Sequence, residues 1–255
     1  MFWADKQKSS EVIEKVSLVL ETYIFPIALL CLTVQSIFIL IALRWPQLVS
    51  AYYSYGQGTA GINDIIVVLN FLKRVILVLF DLMVLLALYT RKNLMEGSTR
   101  LREIIVPLAI IFFWALFNVA CFLPKYFSVI LLPKNVTLIF ALIGTMLAIL
   151  GWLICLVAVY QLRHSFSIFV QVRPLVTTGA YAFTRHPIYL GYILVAVGLC
   201  LSWPSILSIA MTIIYIWLTA IRARLEEKRL KVFFPRYTEY AKKTPMLFIT
   251  LSRKS

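Results

Sequence analysis

Two apolar runs, residues 24 to 43 and 104 to 123, carry no charged side chain over 20 positions each. That is about the length an α-helix needs to cross roughly 30 Å of hydrocarbon. Residues 136 to 160 form a third uncharged run, long enough to cross with some tilt. A fourth span, about 66 to 90, is interrupted by Lys73, Arg74 and Asp81. The uncharged stretch from Pro187 to Ile221 is too long for one crossing, because 35 residues would reach on the order of 50 Å as a straight helix. It is expected to fold back at Ser202-Trp203-Pro204-Ser205, since proline cannot continue the backbone ladder of a preceding helix and disfavours a helical Trp203. Before the first span, Val12, Ile13, Val16 and Leu20 recur at helical spacing, the pattern of an interfacial helix. The first 23 residues mix acids and bases, unlike the basic start of a cleaved signal peptide, so the first span is expected to stay in the mature protein.

The pattern predicts an all-α, polytopic helical membrane protein of about six membrane helices, with a C-terminal hairpin and a polar cap. Composition agrees, with 62% hydrophobic and 14% charged residues over 255 positions. The net charge of +14 would suit an anionic lipid surface or nucleic acid, and placement decides between them. With six crossings and the N-terminus inside, 20 of the 25 Lys and Arg residues fall on the inner side, against Arg44, Lys125 and Lys134 outside. Inner loops are enriched in basic residues, so both termini and the segments flanking the hairpin are expected to be cytoplasmic. The partners expected are the membrane and a lipid, with no nucleic acid. Cys31, Cys121, Cys155 and Cys200 lie far apart in or beside apolar runs and form no C-x-x-C pair, so they read as packing residues and no metal is expected. Lys73 and Arg74 are expected to snorkel to the outer surface, with Asp81 satisfied by a neighbouring helix.

Chemistry concentrates in two polar clusters on either side of the hairpin. The first ends in Arg185-His186-Pro187-Ile188-Tyr189-Leu-Gly191. Pro187 suits the first turn of a helix, which places His186 at its mouth, where free backbone donors and the positive end of the dipole gather. The second is Arg222-Ala-Arg-Leu-Glu226-Glu227, in which Arg222 and Glu226 share a helix face. Because the hairpin returns the chain to its starting side, His186, Tyr189, Arg222 and Glu226 are expected to converge. The plain alternative is a helix start facing lipid head groups and an interfacial basic stripe.

These elements resemble the integral-membrane isoprenylcysteine carboxyl methyltransferase family and, more distantly, phospholipid N-methyltransferases. The family pattern is L-V-x-x-G-x-Y, then R-H-P-x-Y-x-G, a hydrophobic hairpin, R-x-x-x-E-E, and F-[G/P]-x-Y-x-x-Y before a proline. Here it reads Leu175-Val176-Thr-Thr-Gly179-Ala-Tyr181, Arg185 to Gly191, Arg222 to Glu227, and Phe234-Pro235-Arg-Tyr237-Thr-Glu-Tyr240 before Pro245. Leu162-Arg-His-Ser-Phe-Ser-Ile168 also resembles a run of bacterial members. Ala180 stands where many members have proline, and Pro235 where eukaryotic members have glycine. The resemblance covers about residues 136 to 250, and residues 1 to 130 carry no family signal. It divides the chain into N-terminal membrane helices of unassigned role, 1 to 130, and a methyltransferase-like core with its cap, 131 to 255.

The resemblance implies methyl transfer from S-adenosylmethionine to a lipid-like or prenylcysteine-type acceptor entering from the bilayer. It implies cofactor contacts at Arg173, Pro174, Leu175, Val176, Tyr181, His186, Pro187, Ile188, Tyr189 and Glu226. Arg222 is expected to face the acceptor and orient a carboxylate, and Glu227 to serve as proton acceptor if the substrate is an amine. A bacterial inner membrane is favoured, with the endoplasmic reticulum as the alternative. Two other functions compete. A sterol-type reductase would use NADPH, with Arg222 and Arg224 holding its 2′-phosphate, but Glu226 and Glu227 would repel that group. A transporter or non-catalytic membrane protein is opposed by the gathering of polar residues at one face and the lack of paired broken helices.

Overall fold

The computed structural model describes residues 2–90, 97–98, 100–122, 134–172 and 174–247. The chain begins as one helical run composed of α1 (Phe2–Val19), α2 (Phe25–Ile39) and α3 (Trp45–Gly56), joined by π-helical turns at Leu20–Ile24 and Leu40–Arg44. Pro26 and Pro46 explain the turns. Each sits in the first turn after a π segment, where the missing N–H and bulky ring are absorbed by widening the ladder, and the N–H groups of Phe25 and Trp45 reach back five residues to Leu20 and Leu40. The expected interfacial helix leads directly into the first span, as one continuous helical run. No glycine interrupts the run before Gly56.

Helix α4 (Ile62–Tyr89) packs back along α2 and α3. It is followed by α5 (Arg102–Phe122), α6 (Lys134–Leu162), the short α7 (Ala180–Phe183), α8 (Pro187–Ser202), α9 (Ile206–Phe233) and α10 (Tyr237–Lys243). Three described segments, Ser10–Gly56, Val136–Leu162 and Ile206–Phe233, are long and apolar enough to cross a membrane, and α8 is shorter but apolar throughout. The hairpin breaks where proline demands it. Ser205 caps α9 by accepting from the Ser208 N–H at 3.0 Å, and the Ser208 hydroxyl accepts from the Ser205 N–H at 3.0 Å. Helix α9 then outruns the apolar stretch, carrying Arg222 to Lys231 beyond it.

The tightest packing in the bundle joins α6 to α8. Gly144 and Gly151 of α6 face Gly198 and Gly191 of α8, so that the two backbones touch. A Cβ on Gly151 would stand 2.6 Å from the Gly191 carbonyl, and one on Gly198 would stand 2.5 Å from the Gly144 carbonyl. Small residues permit this approach, which lipid-embedded helices use in place of a hydrophobic driving force. The Cys155 thiol donates to the Ile188 carbonyl at 3.4 Å in the same seam. Around it, Phe80 of α4, Trp152 of α6 and Tyr192 of α8 form an aromatic cluster that Trp114 of α5 and Tyr215 of α9 extend.

The segment between α6 and α7 contains the buried side chains Phe166, Phe169, Val170 and Val172. It is held from three directions. Glu21 accepts from the Ser167 hydroxyl at 2.8 Å and from the Ile168 N–H at 2.6 Å. Ser98 donates to the Val170 carbonyl at 3.2 Å. Arg229 of α9 pairs with Glu103, whose own carbonyl accepts from the Val170 N–H at 3.4 Å. Residues far from the two polar clusters in sequence, Glu21, Ser98 and Glu103, thus fix the loop that borders the site.

Candidate active site

Pro187 occupies the first turn of α8 and His186 its N-cap, with a non-helical backbone at φ −129°, ψ 64°. Just upstream, Gly179 adopts φ +65°, a left-handed conformation that any side chain would strain. The turn is also sterically closed, because a Cβ there would meet Gln161, whose Oε1 accepts the Ala180 N–H at 2.7 Å. Helix α7 and Tyr181 are thereby seated against the end of α6.

The four residues expected to converge do so. The His186 and Tyr189 rings stack with centroids 5.3 Å apart and planes within 12°. Tyr189 donates its hydroxyl to Glu226 Oε1. The same carboxylate accepts from Arg222 Nε at 3.3 Å, and its other oxygen lies 3.7 Å from His186 Nδ1. Arg222 sets its guanidinium carbon 5.2 Å from the centre of the Tyr189 ring and donates Nη2 to the Ile168 carbonyl at 2.5 Å. A buried guanidinium needs such partners to offset its lost hydration.

Glu227 points elsewhere. Its Oε1 lies 2.9 Å from Arg185 Nη1 and 3.4 Å from His186 Nε2. Burial opposes its charge, but the nearby His186 ring and the Arg185 charge prevail and hold the carboxyl below the usual glutamate range. The cap closes over this pair. The Arg185 N–H donates to the Pro245 carbonyl at 2.9 Å, Thr184 to the Met246 carbonyl at 3.1 Å, and the Tyr240 hydroxyl to the Tyr181 carbonyl. Burial pushes the Tyr240 hydroxyl up to about 12, so it remains a donor at neutral pH. The hydroxyls of Tyr181 and Tyr237 are likewise raised, burial being the largest cause in each.

These groups line one end of a cavity of about 670 Å³, within the roughly 300–1,000 Å³ of small-molecule sites. Pro174, Leu175, Val176, Tyr181, Ile188 and Arg222 reach it, as do His186, Tyr189 and Glu226. Pro187 is buried behind the wall, and Glu227 stands off the lining. Arg173 lies outside the described residues. Tyr237 and Tyr240 also face the cavity. The sequence contained their motif but gave no sign that the closing aromatic segment folds back over the site. Ser167 and Ile168 were missed as wall residues for the same reason. Toward the spans the cavity becomes largely apolar, with Gln35, Ser36, Arg74 and Asp81 as polar side chains on its lining. Arg74 thus borders the interior space that α2 and α4 leave between them.

The fold and this site define a polytopic helical membrane protein with a polar pocket continuous with a largely apolar chamber among its helices. Residues 142–232 match the isoprenylcysteine carboxyl methyltransferase (ICMT) family, and over this C-terminal region the chain is ICMT-like. It is 37% identical over 126 residues to a protein-S-isoprenylcysteine O-methyltransferase of Saccharomyces cerevisiae, covering 47% of this chain and 51% of that protein. It is 33% identical over 109 residues to protein-S-isoprenylcysteine O-methyltransferase B of Arabidopsis thaliana, covering 40% and 55%. A cobalt-zinc-cadmium resistance protein, CzcN, of Cupriavidus metallidurans is 31% identical over 116 residues, covering 44% and 48%. The chain spans about half the length of the curated relatives it matches.

Proposed function

We propose that this protein is a membrane methyltransferase using S-adenosylmethionine and a lipid-like acceptor, with a prenylcysteine-type carboxylate favoured over an amine. The observation that carries this reading is the convergence of His186, Tyr189, Arg222 and Glu226 on one wall of a cavity whose far walls are apolar and lie among the spans. The donor set fits the cofactor. Glu226 offers a carboxylate to its amino group, His186 and the start of α8 offer donors to its carboxylate, and Tyr181 and Tyr189 present aromatic faces to its sulfonium. Pro174 to Val176 and Ile188 supply apolar contact, Pro187 fixes the helix start, and Arg173 completes the proposed cofactor set.

The cofactor would supply an electrophilic methyl group. The residues of this chain bind, orient and exclude water, which is where the catalytic advantage of an in-line displacement arises. Arg222 orients the acceptor carboxylate, and no protein nucleophile is needed. An amine acceptor would require Glu227 to take a proton, but its carboxylate is engaged with Arg185 and stands off the cavity, which favours the carboxylate acceptor. The bias of basic residues supports cytoplasmic termini and a cytoplasmic site in an inner-membrane setting, with residues 1 to 130 as accessory helices and 131 to 255 as the catalytic core.

Calorimetry on the purified protein tests the cofactor. S-adenosylmethionine and its demethylated product are expected to bind, and His186→Ala and Glu226→Ala each to weaken binding at least about tenfold, since hydrogen bonds to charged groups contribute about 1.5–3 kcal/mol. No heat with either compound, together with binding of NADPH, would replace this reading with the reductase. Radiolabelled methyl groups appearing in base-labile esters, and not in lipid amines, would identify the acceptor chemistry.

A further inference from the structure

The chamber continues well past the wall just described. Phe80 meets Tyr192 edge-on at 6.0 Å and Trp152 at 5.1 Å, which sets the adjacent Asp81 near the level of Tyr192, one helical turn beyond Tyr189. Arg74 lies two turns further along α4, on the order of 10 Å away at about 1.5 Å per residue. Both side chains line the chamber, as do Gln35 and Ser36 of α2. Asp81 is only 8% exposed, and the charge it faces is that of Arg74. Ionisable side chains at membrane depth are costly and persist where they meet a partner or a ligand. A plain hydrocarbon chain filling this chamber would cover Asp81 and Arg74 and pair with neither.

We propose that Asp81 and Arg74 of α4, with Gln35 and Ser36 of α2, form a polar subsite that recognises a hydrogen-bond-donating group, a hydroxyl or an amine, carried on the hydrophobic chain of the acceptor away from its methyl-accepting end. The proposal rests on the methyltransferase reading for the word acceptor. It assigns a role to helices that lie outside the family-matched segment. Asp81 accepts from the donor group, and Arg74, with the amide of Gln35 and hydroxyl of Ser36, holds its oxygen or bridging water. The subsite thereby selects against chains that are apolar to the tip.

The full-length protein in lipid nanodiscs provides the test, with N-acetyl-S-farnesylcysteine and the same compound hydroxylated at the far end of its chain as probes. The hydroxylated probe is expected to bind at least tenfold more tightly. Asp81→Asn and Arg74→Gln are each expected to reduce that preference to about twofold or less, with little change for the plain probe. Equal or weaker binding of the hydroxylated probe, failure of both probes to bind, or a preference that survives in both variants would overturn the proposal. S-adenosylhomocysteine binding in the same preparations reports separately on the cofactor site and on folding of the variants. Its absence in the wild-type protein would remove the methyltransferase reading while leaving the chain preference to stand or fall alone.

Discussion

Glu21, in the π turn that joins α1 to α2, accepts the backbone N–H of Ile168 at 2.6 Å, while the carbonyl of the same Ile168 accepts from Arg222. A fully buried carboxylate in the first helical run thus sets the height of the peptide on which the site arginine rests. Glu21→Ala would strand the Ile168 N–H, a loss of about 1–3 kcal/mol for a buried unsatisfied group, while the Ser167 hydroxyl keeps the Phe169 carbonyl and Gln171 Oε1 as acceptors. Thermal unfolding in detergent should show the destabilisation. Turnover should fall further than S-adenosylhomocysteine binding, because the effect is relayed through Arg222. Glu21→Gln retains an acceptor oxygen and should recover most of both.

Arg222 spends Nε on Glu226 and Nη2 on the Ile168 carbonyl, and its face still borders the chamber. Arg222→Ala is expected to reduce turnover by about a hundredfold, the scale of a lost electrostatic contact to reacting groups. Cofactor affinity should change by less than about tenfold. Equal loss of affinity and turnover in a paired binding and radiolabel assay would contradict an acceptor-side role. Arg222→Lys should not rescue, since an ammonium cannot reproduce the two divergent N–H contacts.

Gly151 and Gly191 bring α6 and α8 into backbone contact. Gly151→Leu would drive a side chain into the Gly191 carbonyl, 2.6 Å from the new Cβ, and an overpacked seam costs about 1–3 kcal/mol or more. The expected outcome is a lowered melting temperature, with loss of cofactor binding because α8 carries His186 and Tyr189. A stable, fully binding Gly151→Leu protein would show that the helices are further apart.

Glu227 has its carboxyl held below the ordinary range by His186 and Arg185 against the cost of burial. A depressed acid contributes stability that is present above its unfolded value and lost as pH falls through its folded one. Melting temperature should therefore drop on acidification below the ordinary glutamate range. Glu227→Gln should be less stable than wild type at neutral pH and should lose part of that acid sensitivity. Parallel melts from pH 7 to about pH 3 check the difference.

The break of the last hairpin and the placement of His186 were legible because proline acts locally. Pro204 ends one helix, and Pro187 begins another wherever the chain goes next. The meeting of Arg222 with Tyr189 followed from one topological step, the return of the hairpin to its starting side. Glu21 was not legible in this way. Its partners are 146 and 147 positions away, and no periodicity encodes which loop a buried acid will grip. The π turns ahead of Pro26 and Pro46 were not legible either, because hydrophobic spacing does not record where a helical ladder widens to pass a proline. Arg74 and Asp81 could be paired by spacing, but whether their shared face met lipid, protein or open space depended on how α2 lay across it.

The glycine seam has a consequence for traffic. Walls that meet backbone to backbone cannot swing apart without losing contact along their whole length, so the α6 and α8 side behaves as the fixed jamb of a doorway. For the lipid-like acceptor proposed above, that leaves the chamber walls of α2 and α5 as the way in, where side chains such as Leu29, Leu32, Ile111 and Trp114 can turn aside as a backbone seam cannot.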